Sequence, residues 1–197
     1  MNALVSTVMM STLVVGPFYL ARALGLNEAL VGIVMAVGPL IAILSGVPSG
    51  RAVDCWGAPS MAIVGLIAMA AGAFALSVLA AMFGVAGYVA AIVVLTPGYQ
   101  LFQAANNTAV MANVHPDQRG VISGMLSLSR NLGLITGASM MGTVFALASK
   151  TPDIATAHPE AVANAMRITF AVSAVLIVVA LAMAMAVASR ARATSRS

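Results

Sequence analysis

The sequence predicts an all-α, polytopic membrane protein in which six transmembrane helices form a single bundle over residues 1–197. Its 197 residues are 61% hydrophobic, with a mean hydropathy of +1.05, and only 7% are charged, whereas soluble domains average about 25%. Six stretches are apolar over the length of a membrane span, and nearly all the charges lie between them. Such a chain has too few polar residues to cover a water-facing surface, so we expect a lipid bilayer around it.

Each transmembrane helix requires about 20 mostly apolar residues. The second and fourth stretches contain prolines at Gly38-Pro39 and Pro97-Gly98, where we expect bends. The connection near Phe83-Gly84 carries no charge and is the least marked boundary. The predicted spans are residues 2–21, 29–49, 60–82, 87–112, 121–148 and 165–188.

Basic residues in the connections predict a multi-pass protein of the plasma membrane with both termini in the cytoplasm. With an even number of spans, the termini share one side with the loops of Arg51 and Arg119, and that side has more basic residues than the other. The polar segment 151–164 is predicted to be an external loop with a short helix. Arg190, Arg192 and Arg196 fall on the predicted inner side, and Arg22, Lys150 and Arg167 on the outer side.

Composition and motifs argue against several other classes of protein. The net charge is +4, but the basic residues are scattered or lie in the tail, so we expect no nucleic-acid partner. His115 and His158 lie in loops, and no span pairs a serine with a histidine, which disfavours an intramembrane enzyme. No spacing of metal ligands appears, so the sequence predicts neither a catalytic residue nor a metal or other cofactor.

Six polar side chains of the fourth span fall within an arc of about 120° on one helix face, at about 100° per residue. Polar groups in a membrane helix face protein or a water-filled cavity. One interpretation is that this face lines a substrate cavity, and the other is that it forms hydrogen bonds between helices. The arc comprises Thr96, Tyr99, Gln100, Gln103, Asn106 and Asn107.

The fifth span combines close-packing glycines with a charge inside the membrane. Gly120/Gly124 and Gly133/Gly137 have the spacing that lets helix backbones approach each other. Arg130 lies about 15 Å along the helix from Gly120 at about 1.5 Å per residue, and no acidic residue lies inside a span. Arg130 therefore extends towards the cytoplasmic face, bonds Asn131 or backbone carbonyls, or meets a residue of another bundle.

The connection after the second span carries a short motif, which we first interpret as a tight turn between two helices. Residues 50–59 read GRAVDCWGAP. This segment resembles the loop motif G-x-L-a-D-r-x-G-r-r of major facilitator transporters, with Gly50, Asp54 and Gly57 matching. The basic residues of that motif are absent at Cys55 and at 58–59.

A longer stretch, residues 98–145, resembles the fourteen-span drug:proton antiporter branch of the same superfamily. That branch has a Phe-Gln near an Asn-Asn, a Pro-x-x-Arg-Gly loop, a Ser-Gly, and an Arg-Asn-x-Gly followed by glycines. The matching residues are Phe102, Gln103, Asn106, Asn107, Pro116, Arg119, Gly120, Ser123, Gly124, Arg130, Asn131, Gly133 and Gly137.

The resemblance implies the C-terminal half of a proton-coupled exporter of small amphipathic molecules in the bacterial inner membrane. In this family two six-helix bundles face each other, and the first and fourth helices of each line the central cavity. The predicted partners are thus a small amphipathic substrate and a second bundle, and the resemblance places Asp54 against a helix end of that bundle. Two alternatives stay open: a half-size transporter acting as a homodimer, and a non-transporting membrane subunit.

Overall fold

The computed structural model describes residues 1–112, 114–149 and 158–194, and these residues contain helices and no strand. The predicted all-α fold class is confirmed. A wider π-helical turn, Tyr19–Ala23, continues the first helix, and one 3-10 turn, Pro116–Gln118, precedes the fourth. The α-helices are α1 Asn2–Phe18, α2 Glu28–Trp56, α3 Ala58–Met111, α4 Arg119–Ser149 and α5 Pro159–Thr194.

Among the described residues, five helices are long and apolar enough to cross a membrane. The longest, α3, has 54 residues and reverses at Gly84, where φ is +55° and ψ is −126°. A Cβ atom placed on Gly65 would lie 2.7 Å from the backbone nitrogen of Phe102, so the two arms pack closely and antiparallel. These arms, residues 58–83 and 85–111, correspond to the predicted third and fourth spans.

The connection after α2 is shorter than the sequence predicts. Helix α2 continues to Trp56, so most of the segment expected to form a turn is helical. Gly57 alone reverses the chain: its φ is +83°, and its N–H donates to the carbonyl of Val53 at 2.9 Å. Glycine adopts this left-handed conformation without the steric penalty of a side chain, which allows a one-residue link between the helices.

The last helix begins earlier than predicted. Helix α5 starts at Pro159 rather than at residue 165, with the proline in the first turn, where its missing N–H costs no hydrogen bond. Residues 150–157, which comprise Lys150 and the first half of the predicted external loop, and the tail residue Arg196 lie outside the described residues. The same holds for the side chains of Arg190 and Arg192, so the orientation of the chain stays a prediction.

The bundle is organised around α1 and α3. Helix α1 packs mainly on α4, and α3 packs on both α2 and α5. A core cluster joins Leu20, Leu95, Phe145 and Phe170, all of them fully or almost fully buried. The Tyr19 hydroxyl donates to the carbonyl of Ala80, a hydrogen bond between α1's extension and α3 that suits a low-dielectric interior.

Helices α2 and α4 carry rows of exposed apolar side chains, and α2 lies at the margin of the bundle. Helix α2 exposes large apolar side chains, including Ile43 at 75% and Leu44 at 74% of their surface. Helix α4 exposes a similar row that includes Leu128 and Ile135. These surfaces are apolar enough to contact lipid or a second helical bundle.

Candidate functional site

The second arm of α3 lines two separate cavities beside α1, and we call the pair of cavities the cleft. One cavity, which we call the polar cavity, lies between α1, this arm and α4. The other, which we call the apolar cavity, is mainly apolar and lies between α1, α2 and the same arm. Only part of the predicted arc reaches either one, because the helix also uses polar residues to bond its neighbours.

The polar cavity has a volume of about 160 Å³. Gln103 and Asn107 enter it from α3, and Asn2 from the first turn of α1. The Asn2 side chain is only 9% exposed, and its amide Nδ2 donates to the carbonyl of Leu126 at 3.3 Å. The side-chain oxygens of Asn2 and Gln103 are buried and have no hydrogen-bond partner among the described residues. The remaining lining residues are Met111, Ser123, Leu126, Ser127 and Arg130.

Arg130 brings a cation to this cavity. Its side chain is exposed and makes no hydrogen bond or ion pair with the described part of the chain. The sequence left three alternatives open for Arg130. The described structure does not show the one in which Arg130 bonds Asn131 or nearby carbonyls. A guanidinium carries five N–H donors and no acceptor, so Arg130 can bind oxygen atoms of another group.

The apolar cavity has a volume of about 210 Å³. Its walls include Met35 and Pro39 from α2 and Ile92 from α3. Thr96 lines it with a hydroxyl that is fully buried and has no partner among the described residues. The cavity can therefore hold an apolar group and offers that group one hydrogen bond.

The other members of the arc have structural contacts. The Gln100 amide donates to the carbonyl of Ala42 at 3.0 Å and so bonds α3 to α2. The Gln103 amide donates to the Tyr99 hydroxyl at 3.0 Å. Asn106 is partly buried, its Nδ2 has no partner among the described residues, and it lines neither cavity. The arc thus divides: Thr96, Gln103 and Asn107 line a cavity, and Gln100 forms a hydrogen bond between helices.

The glycines of α4 also divide into two groups. A Cβ atom on Gly133 would overlap the backbone of Ala3, and one on Gly137 would lie 2.7 Å from the Cα of Thr7. These two glycines form the close contact between α4 and α1. Gly120 and Gly124 have no such neighbour within 4 Å, so the packing predicted for Gly124 has no counterpart among the described residues.

The loop motifs lie at the predicted cytoplasmic ends of the helices. Asp54 is exposed near the end of α2 and has no ion-pair partner among the described residues. Gly50 lies inside α2 and has open space where a side chain would point. Arg119 and Gly120 begin α4 and are both exposed. These residues do not contact the two cavities.

Sequence reasoning missed several residues of the site. Asn2 and Ser127 line the polar cavity, yet they lie on other helices and share no local pattern with the arc. Tyr88 lines the apolar cavity from the same helix and, at about 100° per residue, on the same face as Asn106, but it precedes the arc by about two turns. A polar residue such as Asn2 in the first turn of an apolar helix is a weak signal, because helix ends are commonly polar. The described residues bring together no group of histidine, cysteine or acidic side chains that could hold a metal.

The helices and the cleft between them define a multi-pass, α-helical membrane protein. The family model of the major facilitator superfamily matches residues 1–197, so the chain belongs to that superfamily.

Three curated relatives are similar to this chain over about two-thirds of its length. The Uncharacterized transporter YebQ of Escherichia coli is 30% identical over 125 residues, which is 64% of this chain and 27% of the relative. The Riboflavin transporter RibZ of Clostridioides difficile is 28% identical over 130 residues, 66% of this chain and 28% of the relative. The Multidrug efflux pump LfrA of Mycolicibacterium smegmatis is 25% identical over 127 residues, which is 64% of this chain and 25% of the relative. The matched region spans about a quarter of each relative's length.

Proposed function

We propose that this chain is one six-helix bundle of a proton-coupled exporter that moves small amphipathic molecules across the bacterial inner membrane, and that it acts with a second bundle. The cleft along the second arm of α3 carries the proposal. It places a polar cavity and an apolar cavity on one helix face, next to α1, as expected for a pathway that accepts amphipathic molecules.

The lengths of the relatives support the need for a second bundle, because the matched region is only about a quarter of each relative. Helices α2 and α4 present exposed apolar rows, which at about 100° per residue lie on the sides of these helices away from the residues that line the cavities. These rows suit contact with lipid. Three relatives bear the word transporter or pump in their names, and one of them is a multidrug efflux pump.

The second bundle is either encoded with this chain or supplied by another copy of it. The acidic side chains that would bind the coupling proton would then lie in that bundle, because in this chain all five acidic residues lie outside the predicted spans.

Dye efflux from cells tests this proposal. One strain expresses the chain alone, and the other expresses it joined to the coding sequence that precedes it. Ethidium and carboxyfluorescein, one cationic and one anionic, serve as probes so that the result does not depend on substrate charge. Efflux from the extended protein only supports a bundle that needs a second half, and efflux from the chain alone supports a homodimer. Absence of efflux from both, with the proteins inserted in the membrane, would contradict the proposal.

A further inference from the structure

We infer that the cleft binds amphipathic anions, with the negative group at Arg130 in the polar cavity and an apolar ring in the apolar cavity beside Thr96. This inference rests on the proposed function, because it names the class of substrate for the same cleft. It depends on the charge of one cavity, the character of the other and the distance between them.

The polar cavity favours a negative group. Of the described residues that line it, Arg130 is the one with a charge, and none is a carboxylate. A guanidinium inside a membrane protein is unfavourable without an opposite charge or hydrogen-bond acceptors. A carboxylate of the ligand would accept from it in charge-assisted hydrogen bonds, which are stronger than neutral ones.

Two further groups in this cavity need a donor. The buried oxygens of Asn2 and Gln103 have no partner among the described residues, and leaving such acceptors unpaired is unfavourable. A ligand with an N–H or O–H group beside its anionic oxygen would satisfy them. A simple carboxylate would pair with Arg130 alone and leave these two oxygens as they are in the described structure.

The apolar cavity favours an uncharged ring. Met35, Pro39 and Ile92 give it apolar walls, and no charged residue is among the described residues that line it. The unpartnered hydroxyl of Thr96 would bond a single heteroatom of such a ring. The larger volume, about 210 Å³ against about 160 Å³, matches the larger end of the ligand.

The helix between the cavities sets the length of the ligand. Thr96 and Gln103 are seven residues apart on the second arm of α3, which corresponds to about 10 Å along the axis at about 1.5 Å per residue. Tyr99, which lies between these two residues in the sequence and lines neither cavity, accepts a hydrogen bond from the Gln103 amide at its hydroxyl. A ring joined to an anionic group through a short chain spans this distance.

A matched series of three naphthalene compounds tests the inference on the purified chain in lipid nanodiscs. The compounds are 4-(2-naphthyl)butanoate, the corresponding butanol and the corresponding butylamine, and equilibrium dialysis measures their binding. We expect the butanoate to bind about tenfold more tightly than the alcohol, as a charged hydrogen bond allows, and the amine to bind most weakly. Equal binding of the three, or a preference for the amine, would overturn the inference and assign Arg130 to a carboxylate of the second bundle.

Substitution of Arg130 locates the effect. Arg130→Gln should weaken butanoate binding about tenfold and leave the alcohol unchanged, and Arg130→Lys should retain part of the preference. Arg167→Gln removes an exposed arginine on α5 that lines neither cavity, and it should change nothing. Full butanoate affinity in folded Arg130→Gln would overturn the inference. If that variant fails to insert, the three-compound series on the unchanged chain still decides the sign of the charge.

The assay reads binding and not transport, so the inference and the proposed function can fail separately. Efflux by the extended protein together with a preference for the amine would leave the transporter standing and remove the anion. A clear preference for the butanoate, without efflux by the chain alone or by the extended protein, would support anion binding in the cleft and contradict the proposed transport.

Discussion

Buried hydroxyl groups in this bundle fall into two kinds. Thr7 donates to the carbonyls of Ala3 and Gly133 at 3.0 Å each, so its hydroxyl joins α1 to α4. Ser11 and Ser173 bond each other at 3.3 Å between α1 and α5. Thr96 and Ser6, by contrast, are fully buried and have no partner in the described structure, and of these two Thr96 is the one that lines a cavity of the cleft. We therefore expect the first kind to support the fold and Thr96 to serve the ligand.

Replacing each threonine by valine separates the two roles. Thr7→Val should lower the free energy of unfolding by about 0.6–1.5 kcal/mol, because a hydrogen bond between helices is lost. Thr96→Val should leave stability within about 0.5 kcal/mol, since a hydroxyl without a partner is replaced by a group of the same shape. Denaturation in mixed micelles, followed by circular dichroism, measures both. A larger loss for Thr96→Val than for Thr7→Val would show that Thr96 has a structural partner.

For single residues, helical periodicity predicts which side chains share a helix face but not which group each one contacts. An interval of about 100° per residue placed Gln103 and Asn107 on one face, and both enter the polar cavity. The same rule could not separate them from Gln100, whose hydrogen bond depends on where α2 lies. Asn2 was missed because its neighbours in space, such as Leu126, are distant in the sequence.

Helix packing explains why α4 carries two pairs of glycines with different surroundings. Gly133 and Gly137 meet the backbone of α1, whereas Gly120 and Gly124 meet nothing within 4 Å. The spacing of four residues is identical in both pairs, so the sequence predicts the same role for both. The difference is one of helix face: at about 100° per residue, Gly124 lies about 180° around α4 from Gly133, on the side away from α1.

Valine substitutions on α4 test this contact. Gly133→Val should lower the free energy of unfolding by about 1–3 kcal/mol, because the added side chain overpacks against Ala3 and separates α1 from α4. Gly124→Val is the matched control on the same helix and should have little effect in the isolated chain. Thermal unfolding in detergent compares the two. Equal losses would contradict the assignment of Gly133 to the contact with α1.

Element boundaries show a similar limit. Hydropathy found every long helix but ended α2 near residue 49, because it follows apolar residues and not hydrogen bonds. The helix continues through Arg51 and Asp54 to Trp56, where Gly57 turns the chain. The reversal at Gly84 falls at the predicted uncharged connection, since a positive φ there favours glycine.

The membrane orientation is a property of the whole molecule, and one helix can report it. Helix α2 has 29 residues, or about 43 Å at about 1.5 Å per residue, which exceeds the hydrocarbon thickness of about 30 Å. Its two ends therefore reach opposite sides of the bilayer. Cys55, the single cysteine, is exposed at one end, and Ala29 is exposed at the other.

Cysteine labelling measures this orientation. With cytoplasmic termini, Cys55 should react with a membrane-impermeant maleimide only after the cells are permeabilised. Cys55→Ser combined with Ala29→Cys moves the single thiol to the other end of α2 and should react in intact cells. The opposite pattern would place the termini outside the cytoplasm.

We propose that the polar face on the second arm of α3 lines the path of the transported molecule. The direct test compares dye efflux by the extended protein with efflux by a double variant that carries both Gln103→Leu and Asn107→Leu. Thr108→Leu is the control, since Thr108 is exposed and lines neither cavity. We expect the double variant to lose about tenfold or more of its efflux rate, as removal of two cavity hydrogen bonds allows, and the control to keep its rate. Normal efflux by the double variant would show that this polar face does not line the transport path.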